Sequence, residues 1–175
     1  MNVDRPILTP KFLTKELVEL AVNSVLQATL LNPAMADVVK RQAGHLVVLV
    51  PSMEDDRATG YPQWPNYDIK PFPLYQRSIG KGWEHEYDDI ARCKALQLWH
   101  GRNDDRTDAM YHLLFSGDTP YWGGVKRFGL VVAFSGVQSY FDKMISGMVI
   151  EMIVALAYHA WMNSSDKAEG VSFLS

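Results

Sequence analysis

Cysteine is almost missing from this chain. Cys93 stands alone, so no internal disulfide can form, and no Cys/His spacing describes a zinc site. A basic surplus is missing too: seventeen Lys and Arg against twenty Asp and Glu leave a net charge of −3. Nothing is left over to neutralise a run of phosphates, so no nucleic acid is expected as a main partner. There is no phosphate-binding loop, dinucleotide fingerprint, nucleophile elbow or helical metal pair. The opening residues 1–10 carry Asp4 and Pro6 and lack an apolar core, so they do not read as a signal peptide. The most apolar stretch, Met144–Met162, is interrupted by Ser146, Gly147, Glu151 and His159, which argues against a membrane span. What is present is 175 residues, 47% hydrophobic and 21% charged, the balance of one ordinary globular domain over 1–175. A cytoplasmic setting is the expectation.

Apolar spacing predicts the elements. A first helix starts either at Thr9-Pro10 or at Thr14-Lys15-Glu16 and carries Leu13, Leu17, Leu20, Ala21, Ser24, Val25 and Ala28 as one stripe. Asn32-Pro33 stops or kinks it, and a short helix over 34–42 ends with Gly44 as its cap. His45–Val50 is a continuous branched run, expected as a strand covered on both faces and closed by Pro51. A second strand is expected over Leu74–Ile79. Asp88-Asp89 opens a second long helix, with Ile90, Cys93, Leu96, Gln97 and His100 along one side. A third helix is expected over 104–115 with Ala109, Met110, Leu113 and Leu114 as its apolar face. Phe128–Phe134 reads as a strand ended by Ser135-Gly136, and the last helix as about Ser139–Met162.

That last helix places Ile145, Met148, Val149, Met152, Ile153 and Leu156 on one side. Ile150, Val154, Ala157 and Trp161 fall on nearly the opposite one. A helix apolar almost all round is buried on both sides, which predicts a homo-oligomer assembled through 139–162. Residues 52–73 form an irregular insertion in which four prolines alternate with Tyr61, Trp64, Tyr67 and Phe72, and 164–175 reads as a loose tail.

Candidate chemistry is sparse. None of the five histidines (His45, His85, His100, His112, His159) sits at a ligand spacing from another, and a lone imidazole is more often a packing residue than a ligand. Cys93 reads as a small buried hydrophobe, and the methionines of the last helix as packing residues. Arg92 and Lys94, which flank Cys93, are the better candidates for holding a small anionic ligand. Gly123-Gly124 reads as a strand-entry turn whose backbone N–H groups could join them, with Trp99, Tyr121 and Trp122 as walls.

Several segments taken in order resemble a known family. They are Leu13-Thr14, the strand Leu46–Val50, Ile90-Ala91-Arg92-Cys93-Lys94-Ala95, Gly123-Gly124, and Gly129–Gly136 followed by Asp142. Together, over about residues 13–162, they resemble the GlcG/HbpS-like (haem-degrading domain) family. The resemblance implies an α/β (α+β), profilin-like fold, an antiparallel sheet flanked by helices, assembling into dimers or larger rings. It also implies haem or a related tetrapyrrole as a ligand class. Lys94, Gly123, Gly124, Ser135, Gly136 and Asp142 stand at the family's matching positions. Two departures stand out: the long insertion 52–73, and the four residues between Gly124 and Gly129, which shorten the hairpin where a ligand would lie.

Three functions follow as expectations. The first is a small-molecule binding protein acting as a homo-oligomer, using Arg92, Lys94, Gly123, Gly124, Ser135, Gly136 and Asp142. The second is a protein–protein interaction module using the proline/aromatic loop 61–73. The third is an enzyme of unknown reaction, with Asp142 and a histidine doing acid–base work.

Overall fold

A computed structural model describes residues 6–54, 68–103, 111–172 and 174. The chain forms β1 (Ile7–Leu8), α1 (Lys15–Ala28), α2 (Ala36–Val39), β2 (Gly44–Glu54), β3 (Lys70–Ile79), α3 (Tyr87–Trp99), β4 (Gly124–Arg127), β5 (Leu130–Ser135), α4 (Ser139–Met162) and α5 (Ser165–Glu169). It is an α+β fold with an open antiparallel sheet flanked by helices. β2 is the central strand, with β3 on one side and β5, then β4, on the other; β1 pairs with the far end of β2, opposite Met53 and Glu54.

Alternation along the two central strands explains the layers. Leu46, Val48, Val50, Val132 and Phe134 point to one face, where Val18, Val22, Val25 and Leu26 of α1 and Ile145, Val149, Ile150 and Ile153 of α4 cover them. Val47, Leu49, Val131 and Ala133 point to the other face, under Ala91, Ala95 and Leu98 of α3. Both faces of β2 and β5 are buried, as the continuous apolar run His45–Val50 predicts.

Pro51 does not close β2. The strand continues to Glu54 because β5 ends opposite Leu49, so beyond that point β2 is paired on the other side by β3, and Pro51 faces Pro71. β3 likewise starts at Lys70 rather than Leu74. It lies at an edge, where Pro71 and Pro73 cost no hydrogen bond to a further strand. Residues 52–54 and 70–73 of the irregular insertion are therefore sheet; the proline/aromatic pairs of 61–67 lie outside the described residues.

α1 begins after Thr14, whose Oγ1 accepts the Leu17 N–H at 3.2 Å. Its buried stripe is turned from the expected one: Val18, Ala21, Val22, Val25 and Leu26 face the sheet, while Leu20 is exposed. α2 ends at Lys40, which takes the left-handed conformation, and Gly44 instead opens β2. On α3 the covered side is Ala91, Lys94, Ala95 and Leu98, and Leu96 points outward. Residues 104–110 of the third expected helix lie outside the described residues. The part described is a single turn at Tyr111–Leu113, with Leu113 and Phe115 exposed rather than forming an apolar face. The tail is docked. Ser164 caps α5 through the Lys167 N–H, and the buried Asp166 accepts a hydrogen bond from Lys11 Nζ at 2.7 Å.

Candidate functional site

Six of the seven candidate residues meet at one junction. Lys94 sits on the sheet-facing side of α3, 1% exposed. Its Nζ donates to the Phe134 carbonyl at 3.0 Å and to Asp142 Oδ2 at 2.9 Å. Asp142 lies in the first turn of α4, and its Oδ1 accepts the Val137 N–H at 3.1 Å. Ser146, one turn on, accepts the Phe134 N–H at 3.0 Å. Its hydroxyl lies 2.8 and 3.0 Å from the Asp142 and Gly123 carbonyls, one of which receives its proton.

The glycines around it allow close backbone packing, Gly123 against Asp142 itself. A Cβ on Gly123 would stand 2.5 Å from Asp142 Cβ, and one on Gly124 2.4 Å from Leu98 Cδ1. A Cβ on Gly136 would stand 2.2 Å from the Ala43 carbonyl oxygen. Ser135 is buried opposite His45 in the β2–β5 ladder.

The junction is closed to ligands. Lys94 is committed to two acceptors and Asp142 to two donors, and neither meets solvent. Burial pushes Asp142 up to about 6, against the pull of the Lys94 charge beside it. Burial also holds Lys94 below the usual lysine range, with Asp142 opposing. The pair ties α3 to α4 past the end of β5. Chemically it is a structural clamp.

Arg92 stands apart from the other six, on the outer side of α3. Its Nη1 donates to Asp88 at 3.1 Å and to Asp89 at 3.0 Å, and its Nε to Gln76 Oε1 at 3.1 Å. That contact opens a second cluster which the sequence reading did not single out. Gln76 Oε1 lies 3.4 Å from Nε2 of the buried His45, and His45 Nδ1 lies 3.0 Å from Ser78 Oγ. His45 and Ser78 are direct cross-strand partners in β2 and β3, and Trp83 packs edge-on to the imidazole at 6.2 Å. Only the strand register brings positions 45, 76 and 78 together, so no spacing in the sequence marks them. Burial, the largest influence, holds the His45 imidazole below its usual range, with the Gln76 hydrogen bond opposing.

Of the expected walls, Tyr121 points to solvent, and Trp99 lies under Lys126, whose Nζ bonds the Trp99 carbonyl at 2.7 Å. Burial raises the Cys93 thiol, which accepts the Thr119 N–H at 3.2 Å, in keeping with a packing role. Among the described residues no group of three or more His, Cys, Asp or Glu side chains is placed to hold a metal ion. In comparisons with known proteins, no family model, no curated protein and no solved structure matches this chain.

Proposed function

We propose that the protein is an interaction module that works by self-assembly, two copies pairing antiparallel through the outward face of α4. The observation that carries this reading is the makeup of that face. α4 has 24 residues, about 36 Å of helix, and it lies on the sheet by one side only. Its other side carries Met148, Ala155 and Met162 at intervals of seven, with Tyr158 between the last two. Met148 is 41% exposed and Tyr158 61%. Seven-residue spacing keeps a row of side chains facing one neighbouring helix.

A second copy fits this row by size and charge. With Ala155 on a twofold axis, the small methyl faces its own copy and lets the helices approach. Met148 then meets the partner subunit's Met162, and Glu151 comes opposite the partner subunit's His159, an acid against a base, twice by symmetry. α4 is, among the described residues, the one helix long and apolar enough to cross a membrane. The acidic Glu151 in mid-row, with no Lys or Arg in the row, favours a protein neighbour over an anionic bilayer surface.

The β4–β5 hairpin adds to the surface. Its two central residues, Phe128 and Gly129, both have positive φ, and Phe128 (φ 50°) is 80% exposed. A bulky side chain held at positive φ and offered to solvent is a strained feature of the kind that a contact surface retains. It sits beside α4, because Arg127 Nε lies 3.7 Å from Glu151 Oε1.

The small-molecule reading has less support, since Lys94 is committed inside the fold and Arg92 does not join it. An open antiparallel sheet with helices on both faces is the kind of arrangement the profilin-like, GlcG/HbpS-like resemblance implies, and oligomerisation belongs to that reading as well. Sedimentation velocity over the micromolar range tests the proposal. Wild type sediments as a dimer, and Tyr158→Lys and Ala155→Lys as monomers with unchanged circular dichroism. A wild-type monomer throughout, or a monomer that floats with neutral phospholipid vesicles, would contradict it.

A further inference from the structure

The cluster around His45 has a property independent of assembly. We infer that Ser78 is a nucleophilic serine, with His45 as its general base and Gln76 as the residue that positions the histidine, and that it accepts acyl groups from small carboxylic esters.

Hydrogen-bond chemistry gives the direction of each proton. Arg92 Nε is only a donor, and its contact at 3.1 Å therefore requires the oxygen of the Gln76 amide. That oxygen can only accept from the imidazole, so the His45 proton sits on Nε2, which lies 3.4 Å away. Nδ1 is then a bare lone pair, 3.0 Å from Ser78 Oγ, and the serine hydroxyl donates to it. Nucleophile, base and positioning group thus stand in the order that acyl transfer needs. Arg92 is itself anchored by Asp88 and Asp89, which keeps the Gln76 oxygen turned toward the ring.

Exposure fits the roles. His45 is buried behind Ser78, under Trp83, while Ser78 lies on the exposed edge strand, where an ester can reach Oγ. Burial also favours the neutral imidazole, the form that can take a proton. In the reaction, Oγ bonds to the ester carbonyl carbon as its proton passes to His45 Nδ1. The carbon–alkoxide bond then breaks, the alkoxide leaves with that proton, and an acyl-serine remains. Water attacks the acyl-serine, giving its proton to Nδ1; the carboxylic acid departs and Oγ recovers the proton.

A fluorophosphonate probe on the full chain reads the first step directly. Oγ bonds to phosphorus, fluoride leaves, and the proton goes to His45 and on to solvent. After digestion, the mass label should appear on Ser78 well before it appears on the exposed Ser116, which serves as an internal control. The labelling rate should rise with pH as one imidazole loses its proton in the field of Arg92, Asp88 and Asp89, the charges that act on the ring. His45→Gln should slow labelling roughly a hundredfold. Gln76→Leu should slow it several-fold and alter that pH profile, and Gln76→Glu should restore the rate. Gln76 is exposed, so these two variants decide the matter even if His45→Gln does not fold. Labelling of Ser78 no faster than of Ser116, or a rate indifferent to both His45 and Gln76, would overturn the assignment.

Discussion

At the scale of single residues, the Lys94–Asp142 pair has the largest energetic consequences. Removing one partner leaves the other charge sealed without compensation, so Asp142→Asn should cost about 3–5 kcal/mol in urea unfolding. Replacing both, as Lys94→Met with Asp142→Leu, should recover most of that loss. A double variant no more stable than the single one would show that the loss does not come from the orphaned Lys94 charge. The pH dependence has a definite sign. Asp142 binds a proton more readily when folded, its value moving from 3.8 to about 6, so its contribution to stability falls as pH rises from about 4 to about 6. Lys94 is held low, so its contribution rises with pH between its lowered value and 10.5. Comparing the pH–stability curves of wild type and the double variant isolates both slopes.

The same residues mark how far the sequence could be read. The family resemblance groups Lys94, Gly123, Gly124, Ser135, Gly136 and Asp142, and all six lie at one junction. Whether Lys94 points to a ligand or to Asp142 depends on a contact across 48 positions, which no local pattern encodes. Arg92, two residues away, faces the other side of the helix. His45, Gln76 and Ser78 were silent for a related reason: strand register alone joins them.

At the scale of elements, the glycines divide into required and replaceable. Gly136→Ala would drive a methyl into the Ala43 carbonyl and Gly44 Cα and should cost about 1–3 kcal/mol. Gly147, inside α4, would meet only Val125 Cγ2 at 3.8 Å, so Gly147→Ala should stabilise by about 0.5–1 kcal/mol. Paired thermal melts of the two variants check both signs. The hairpin tip gives a third case. Asn-Gly suits a two-residue turn with both φ values positive, so Phe128→Asn should raise monomer stability by about 1 kcal/mol while weakening self-association. A variant that loses stability would show that Phe128 is held by contacts within its own chain.

Element boundaries show where pattern reading stops. The central strands were legible from branched apolar runs, because burial on both faces leaves few alternatives, and α4 from its long, nearly unbroken apolar stretch over 139–162. Strand ends were not. Pro51, Pro71 and Pro73 look like breaks, yet they lie where the ladder is one-sided, and pairing with β3 carries the chain past them. The docking of Asp166 at the start of the tail was not legible, because it rests on one contact, to Lys11, across 155 positions.

At the scale of the whole molecule, the described residues leave one face of the longest helix uncovered. The apolar periodicity of α4 predicts burial on two sides. The expected second side, Ile150, Val154, Ala157 and Trp161, is largely covered within one copy, Ile150 lying in the core and Val154 packed against it; among the described residues the face left open is that of Met148, Ala155, Tyr158 and Met162. The proposed self-pairing would cover that open face. The most direct measurement is oxidation of Ala155→Cys in a Cys93→Ser background, since a residue on a twofold axis meets itself within disulfide reach. The account predicts rapid conversion to a disulfide-linked dimer, with a Ser116→Cys control remaining monomeric under the same oxidant. Crosslinking of Ala155→Cys no faster than of that control would contradict it.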